Sequence, residues 1–204
     1  MKPKNFQFLF CIKCNGALNL EILNESDEVD EGFLYCEKCK MKFPIISKIP
    51  IVLENLSQFL ENRPSLGGFL LKSSVTPSMK KFIKQIMSKN KKNKNDFFLI
   101  EKRWTNIYLT NKNSLFYKTI KYHLAKIPKK SFVIEYGSSI GIISNMLGKK
   151  HERVFGIDTS FSALLEAKKK SPKNCEYILA DIFQHPLGKK KFDLIIALNL
   201  FELV

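Results

Sequence analysis

Arginine is scarce in this 204-residue chain: of 34 basic residues only Arg63, Arg103 and Arg153 are Arg, and the rest are Lys. Bidentate reading of phosphate or guanine favours the planar guanidinium. A net charge of +15 therefore does not by itself mark a nucleic-acid-binding protein, and a bias towards Lys, Asn, Ile and Phe accounts for it more simply. Histidine is rarer still: His123, His151 and His185 show no ligand spacing, and surface positions are expected for each. No apolar run approaches the roughly 20 residues that cross a bilayer. The start, Met1-Lys-Pro-Lys-Asn5, lacks the apolar stretch of a secretory signal. These absences point to a cytoplasmic protein with no membrane segment. What the chain does have is 45% hydrophobic and 12% aromatic content, enough core for one large or two small domains.

Cysteine is concentrated at one end. Cys11-Ile-Lys-Cys14 and Cys36-Glu-Lys-Cys39 are two C-x-x-C pairs 21 residues apart. Each pair places two thiolates on a tight turn, and two such turns complete a tetrahedral sulfur site that suits structural zinc. A reducing compartment disfavours disulfides, no βαβ pattern surrounds either pair as a redox role would need, and no open ligand position is evident. Leu18 to Ile22 and Phe33 to Tyr35 read as two strands around an acidic loop. A unit this small draws much of its folding free energy from the metal. With Phe43-Pro-Ile45 and Ile49-Pro50 behind the second pair, the first unit, residues 1–54, resembles the Trm112-like zinc ribbons over about residues 8–54. Members of that family partner and activate methyltransferases that act on tRNA, rRNA and translation factors.

Residues 55–96 read as a helical connector. A short helix is expected from Glu54, ended by Arg63-Pro64 and Gly67-Gly68. A second, opened by Thr76-Pro77-Ser78, carries Phe82, Ile83, Ile86 and Met87 on one face. The run Lys89 to Asn95 is expected to be a solvated linker, with an RNA-contacting arm as the alternative. Two more helices follow, around Phe98–Tyr108 and Ser114–Ile127. Trp104 and Tyr108 on the first, and Leu115, Phe116, Ile120, Leu124 and Ile127 on the second, are expected to pack onto a sheet.

From residue 131 strands and helices alternate, as in a parallel α/β sheet. Strands are expected over Phe132–Tyr136, Arg153–Asp158, Glu176–Ala180 and Phe192–Leu198, with helices over Ile140–Leu147 and Ser160–Lys170. The first strand carries Glu135 next to its end and runs into Gly137-Ser-Ser-Ile-Gly141, a turn that brings backbone N–H groups to a helix N-terminus. Gly137 and Gly141 are expected to supply positive φ. Asp158 ends the second strand about twenty residues later, where such sheets place a carboxylate to accept both hydroxyls of a ribose. Asp181, with Ile182 beside it, follows the third strand and is placed for an adenine amine and ring. Glu135 points towards a cationic ammonium. A ligand with adenine, a free ribose and an ammonium, but no pyrophosphate, fits S-adenosylmethionine.

The succession E-x-G-x-x-x-G, G-I-D-x-S, A-D and F-D-L-I-I-A-L-N-L resembles class I S-adenosylmethionine-dependent methyltransferases over residues 97–204. The resemblance implies cofactor contacts at Glu135, Gly137, Ser139, Gly141, Asp158, Asp181, Ile182 and Asn199. Ser139 stands where the family has its middle glycine. The plainer readings are helix caps for Asp158 and Asp181 and a turn for Asn199. G-x-S-x-G also fits a hydrolase nucleophile elbow at Ser139, with Asp158 or Asp181 and His185 as the remaining triad; no oxyanion motif accompanies it. Cys175 has no partner and reads as a strand-edge residue.

The expected architecture is thus α/β: a small β zinc ribbon plus a Rossmann-like parallel sheet that stops after its fourth strand. That strand would be left as an apolar edge, completed by further sequence or by a partner chain. Catalytic residues are not readable. The function implied is methyl transfer from S-adenosylmethionine to a macromolecular acceptor (tRNA, rRNA or protein). The alternative is a non-catalytic ribbon adaptor that pairs with another methyltransferase.

Overall fold

The structure is a computed structural model that describes residues 1–88, 95–188, 192–198 and 200. It divides into two compact units: Met1–Ile100 with Phe183–Gly188, and Glu101–Ile182 with the described part of Lys189–Val204.

The first unit opens with a 3₁₀ turn, Pro3–Phe8, and an antiparallel meander of β1 (Asn19–Glu25), β2 (Val29–Tyr35), β3 (Lys42–Ile46) and β4 (Ile49–Val52). Ser47 and Lys48, the two residues between β3 and β4, both take positive φ (52° and 69°). This is the geometry of a two-residue hairpin whose twist matches its strands. Pro44 and Pro50 sit within β3 and β4, so this hairpin carries fewer backbone donors than a pattern reading would ask of a strand.

Three helices complete this unit: α1 (Leu56–Glu61), α2 (Pro64–Ser73) and α3 (Pro77–Met87). Asn55 caps α1 by accepting from Gln58 N at 2.9 Å. Thr76 caps α3 through Met79 N, and Pro77 occupies the first turn, where its missing N–H costs nothing. The expected stop at Gly67-Gly68 is not found, because α2 runs through it. A Cβ on Gly67 would lie 3.0 Å from Met87 Sδ and Cε, so glycine there admits the close approach of α3. Glu31, buried on β2, accepts from the Thr76 N–H (2.9 Å), the Thr76 hydroxyl (2.7 Å) and the Val75 N–H. Phe33 meets Phe82 edge-to-face at 4.9 Å. Residues 56–87 therefore pack against the strands. The segment Phe183–Gly188 joins the same unit, with Phe10 N donating to Pro186 O at 2.6 Å.

α4 (Phe97–Asn111) enters the second unit at Glu101 and is followed by α5 (Leu115–Ala125). Then come β5 (Phe132–Tyr136), α6 (Ile142–Leu147), β6 (Arg153–Asp158), α7 (Phe161–Lys169), β7 (Cys175–Ala180) and β8 (Leu194–Ala197). β6 pairs in parallel with β5 and with β7, and β8 pairs in parallel with the other side of β5. Val133, Ile134, Val154, Phe155, Ile157, Ile178 and Leu179 are all fully buried, which explains why these strands read as continuous apolar runs. Ser160 caps α7 through Ala163 N. At the other end of α7, Lys168 turns inward to Glu176 on β7 (3.6 Å).

Two expectations fail in this unit. Trp104 (53% exposed), Leu115 (78%) and Phe116 (42%) face outward rather than packing on the sheet. Of the expected α5 face, Ile120, Leu124 and Ile127 are half-buried, and Tyr117 and Lys121 join them in place of Leu115 and Phe116; the i, i+3, i+7 spacing of Tyr117, Ile120 and Leu124 serves burial equally well. His151 is buried, not on the surface: its Nδ1 accepts from Lys130 N at 3.0 Å, and burial holds its pKa below the usual value.

Candidate functional site

Two constellations stand out, one in each unit. In the first, the four cysteine Sγ atoms of Cys11, Cys14, Cys36 and Cys39 lie within 4.8 Å of one another. Cys11–Cys39 and Cys14–Cys36 are 3.3 and 3.4 Å apart, well beyond the roughly 2.05 Å of a disulfide. They approach the roughly 3.8 Å edge of a sulfur tetrahedron built on 2.3 Å zinc–sulfur bonds.

The two turns are built alike. The carbonyl of the first cysteine accepts from an N–H four residues on (Asn15 N→Cys11 O and Lys40 N→Cys36 O, both 2.8 Å). The residue after the second cysteine takes positive φ (Asn15 55°, Lys40 61°). That repeat turns both thiol pairs to one point. Burial pushes the Cys11 thiol up to about 12, whereas the backbone N–H of Cys39 brings Cys36 down to about 7. Four sulfurs this close cannot all ionise without a cation among them, and their geometry and chemistry fit zinc.

The second constellation lies at the carboxyl edge of β5, β6 and β7. Gly137 (φ 67°), Ser139 (φ 47°) and Gly141 (φ 69°) all adopt left-handed backbone between β5 and α6. Serine there bears a strain of roughly 1–2 kcal/mol that glycine would not. The turn is stitched to β6: Ser138 N donates to Ile157 O (3.0 Å) and Ser139 N to Asp158 Oδ2 (2.7 Å). Asp158 Oδ1 accepts from Ser160 N at 2.8 Å. Each carboxylate oxygen has about two acceptor directions; with the Thr159 N–H also directed at the carboxylate, Asp158 keeps room for one further donor. Burial raises its pKa, opposed by the Ser160 and Ser139 N–H groups.

Glu135 is buried and directed at α6. Its Oε2 accepts from Ser144 N at 2.8 Å and from the Ser144 hydroxyl. Burial outweighs both bonds and pushes its pKa up to about 8, with the nearby Asp158 charge acting in the same sense. Asp158 lies opposite Leu179 in the β6–β7 register, so Asp181, two residues further, stands at the same edge. Asp181 is exposed and Ile182 half-buried. Asn199 lies outside the described residues.

Tyr177, Ser144 and Ser138 were not picked out by sequence reasoning. Tyr177 lies opposite Gly156 in the register and donates to Asn145 Oδ1 (2.8 Å). A Cβ at Gly156 would lie 2.6 Å from its ring, and one at Gly141 would overlap its hydroxyl. Gly156, inside β6, was the signal for this large partner. Over Gly137, an added Cβ would be 3.2 Å from Leu200 Cδ1. Ser138 Oγ and Ser139 Oγ are buried without a hydrogen-bond partner among the described residues. Ser139 thus has no base beside it, and a nucleophile elbow gains no support. Cys175 is buried at the start of β7, donates to Ser144 O (3.3 Å), and is pushed up to about 12 by burial.

Residues 134–204 match the methyltransferase domain family. This is about a third of the chain. Over 66 residues it is 42% identical to a malonyl-[acyl-carrier protein] O-methyltransferase of Hamiltonella defensa subsp. Acyrthosiphon pisum (strain 5AT), covering 32% of this chain and 25% of that protein. The chain therefore spans about a quarter of the length of this curated relative. No Trm112 family model matches residues 1–54.

Among solved structures, one similar chain belongs to a complex containing the Haloferax volcanii Trm112 methyltransferase activator (18% identity, TM-score 0.42, 47% of this chain and 44% of that one). Another is the DhpI-SAM-HEP complex (18%, 0.42, 48% and 47%). Likeness at this level carries nothing about ligand, acceptor or partner. No helix among the described residues is long and apolar enough to cross a membrane.

Proposed function

We propose that this chain is an S-adenosylmethionine-dependent methyltransferase with a structural zinc ribbon of the Trm112-like kind, acting on a macromolecular acceptor (tRNA, rRNA or protein). The observation that carries this reading is Asp158. It ends β6 beside the left-handed turn, both oxygens are anchored by backbone N–H groups, and the carboxylate retains an acceptor direction for a ribose hydroxyl. The match of residues 134–204 to the methyltransferase domain supports it.

In this reading Asp158 holds the ribose, Asp181 and Ile182 the adenine, and Glu135, Gly137, Ser139 and Gly141 the amino-acid end, with Asn199 beside the acceptor. The bound cofactor supplies an electrophilic methyl on a sulfonium. The protein's part is to orient donor and nucleophile and to exclude water. Glu135 ionises readily only when a cation approaches it, which favours a ligand bearing an ammonium. Cys11, Cys14, Cys36 and Cys39 hold zinc, which fixes the ribbon.

A second reading is favoured by the β8 edge, where Ile195 is 59% exposed on the far side of β5's pairing. Here the chain is a non-catalytic adaptor whose sheet is completed by another methyltransferase. The discriminating experiment incubates the purified chain with donor carrying a labelled methyl and separate tRNA, rRNA and protein fractions from its source. Label in one fraction, lost in Asp158→Ala, supports the enzyme. No transfer by the chain alone, but transfer once a co-purified methyltransferase is added back, supports the adaptor.

A further inference from the structure

We infer that the outer face of α4 and α5 is a binding platform for single-stranded RNA. Between Glu101 and Ser131 there are eight basic residues against one acid, and five aromatics. The chain as a whole is far less one-sided, at 34 to 19, so the imbalance is local and exceeds the general Lys bias. The aromatics are not spent on a core: Trp104 is 53% exposed, Tyr122 61% and Phe116 42%.

These groups share one layer. β5, β6 and β7 are consecutive neighbours in one parallel sheet, so two crossovers of the same hand put α6 and α7 on the same face. α5 packs on α6. α4 packs on α7 through the buried Thr105–Ser162 hydroxyl pair (2.9 Å), in the first turn of α7 and hence at the carboxyl edge that bears Asp158. The Trp104 and Tyr108 rings lie tilted by 31° with centroids 6.2 Å apart, and Lys126 lies 3.9 Å over the Tyr122 ring. Arg103, Lys112 and Lys118 are exposed on the same helices and the turn between them.

Exposed rings interleaved with cations are what a single strand needs. Every base has a face to stack, every phosphate needs a cation, and no base-edge code is required. Duplex grooves would bury the bases from these rings, so duplex is the poorer occupant. Arginine scarcity does not weigh against this mode, which asks for positive charge rather than bidentate recognition. The role given to the bound strand, presenting an acceptor, rests on the methyltransferase reading. The binding itself does not, and it is measured without cofactor.

Trp104 is the only tryptophan in the chain, so its fluorescence reports this face alone. Titration of the full zinc-loaded chain with oligo(U) and oligo(A) 12-mers is expected to quench it saturably, with affinity falling steeply from 50 to 200 mM salt. Tyr122→Ala is expected to weaken binding roughly 5- to 100-fold, and Lys118→Glu with Lys126→Glu at least tenfold. All three positions are exposed, and circular dichroism verifies that the variants fold. The proposal is overturned if no oligonucleotide quenches Trp104. It is equally overturned if binding survives unchanged in both variants. Poly-L-glutamate or vesicles of anionic lipid matching the RNA in affinity and in sensitivity to Tyr122→Ala would assign the face to an acidic protein or a membrane instead.

Discussion

Replacing Glu135 by Gln tests the electrostatics of the turn most sharply. Glu135 is buried, its hydrogen bonds come from one residue, Ser144, and its pKa is pushed up from 4.5 to about 8. A carboxyl whose folded pKa is raised binds a proton more tightly folded than unfolded. Between pH 4.5 and 8 the folded state therefore holds a proton that the unfolded chain has released, and stability falls as pH rises across that window. At 1.36 kcal/mol per pH unit the ceiling is about 5 kcal/mol, and about 2–3 kcal/mol is a realistic order once relaxation is allowed.

Gln keeps a carbonyl oxygen for Ser144 N and its hydroxyl but cannot ionise. Denaturant unfolding at pH 5, 6.5 and 8 is expected to give nearly equal stability for Glu135→Gln and the parent at pH 5. The variant should then gain progressively up to pH 8. Parallel stability curves, or a variant that loses ground as pH rises, would refute the reasoning.

Other consequences are as direct. Thiol blocking should release one zinc per chain, read with a metallochromic dye, and prolonged chelation should unfold the ribbon unit, as for structural zinc worth about 10–16 kcal/mol in small fingers. Retained ribbon signals in a verified metal-free chain would contradict this. Ser139→Gly should stabilise the fold by about 0.5–1 kcal/mol, because relief of about 1–2 kcal/mol of left-handed strain exceeds the roughly 0.5–1 kcal/mol entropy cost of glycine. Gly141→Ala should cost at least about 2 kcal/mol, since the new Cβ meets the Tyr177 hydroxyl and lies 2.7 Å from Ala167 Cβ; a thermal shift within error would contradict the packing.

The order of strands and helices from residue 132 onward was readable because fully buried parallel strands write themselves as apolar runs and the turns between them carry glycine or acids. β5 and β6 begin and end where pattern alone put them. The four-cysteine cluster was legible from spacing, since a C-x-x-C turn has few ways to fold. What periodicity could not do was choose which side of an amphipathic helix faces in. On and just after α5 the expected Ile120, Leu124 and Ile127 do face in, but packing took Tyr117 rather than Leu115 and Phe116 to complete that side.

The Gly67-Gly68 pair misled for a related reason: glycine that ends a helix and glycine that lets a helix in look the same in one dimension. Buried polar partners were also illegible. Ser144 became important only because helix α6 aims it back at Glu135, and the buried His151 accepts from the Lys130 backbone, a partner that no local pattern reveals.

Calorimetry with S-adenosylmethionine tests the central claim most directly. Micromolar binding to the zinc-loaded chain is expected, tightening as pH rises through about 8, where Glu135 ionises. The exposed Asp181→Ala should weaken it and Asp158→Ala should abolish it. A folded, zinc-loaded chain that takes up no heat and shows no thermal shift at millimolar S-adenosylmethionine would contradict it.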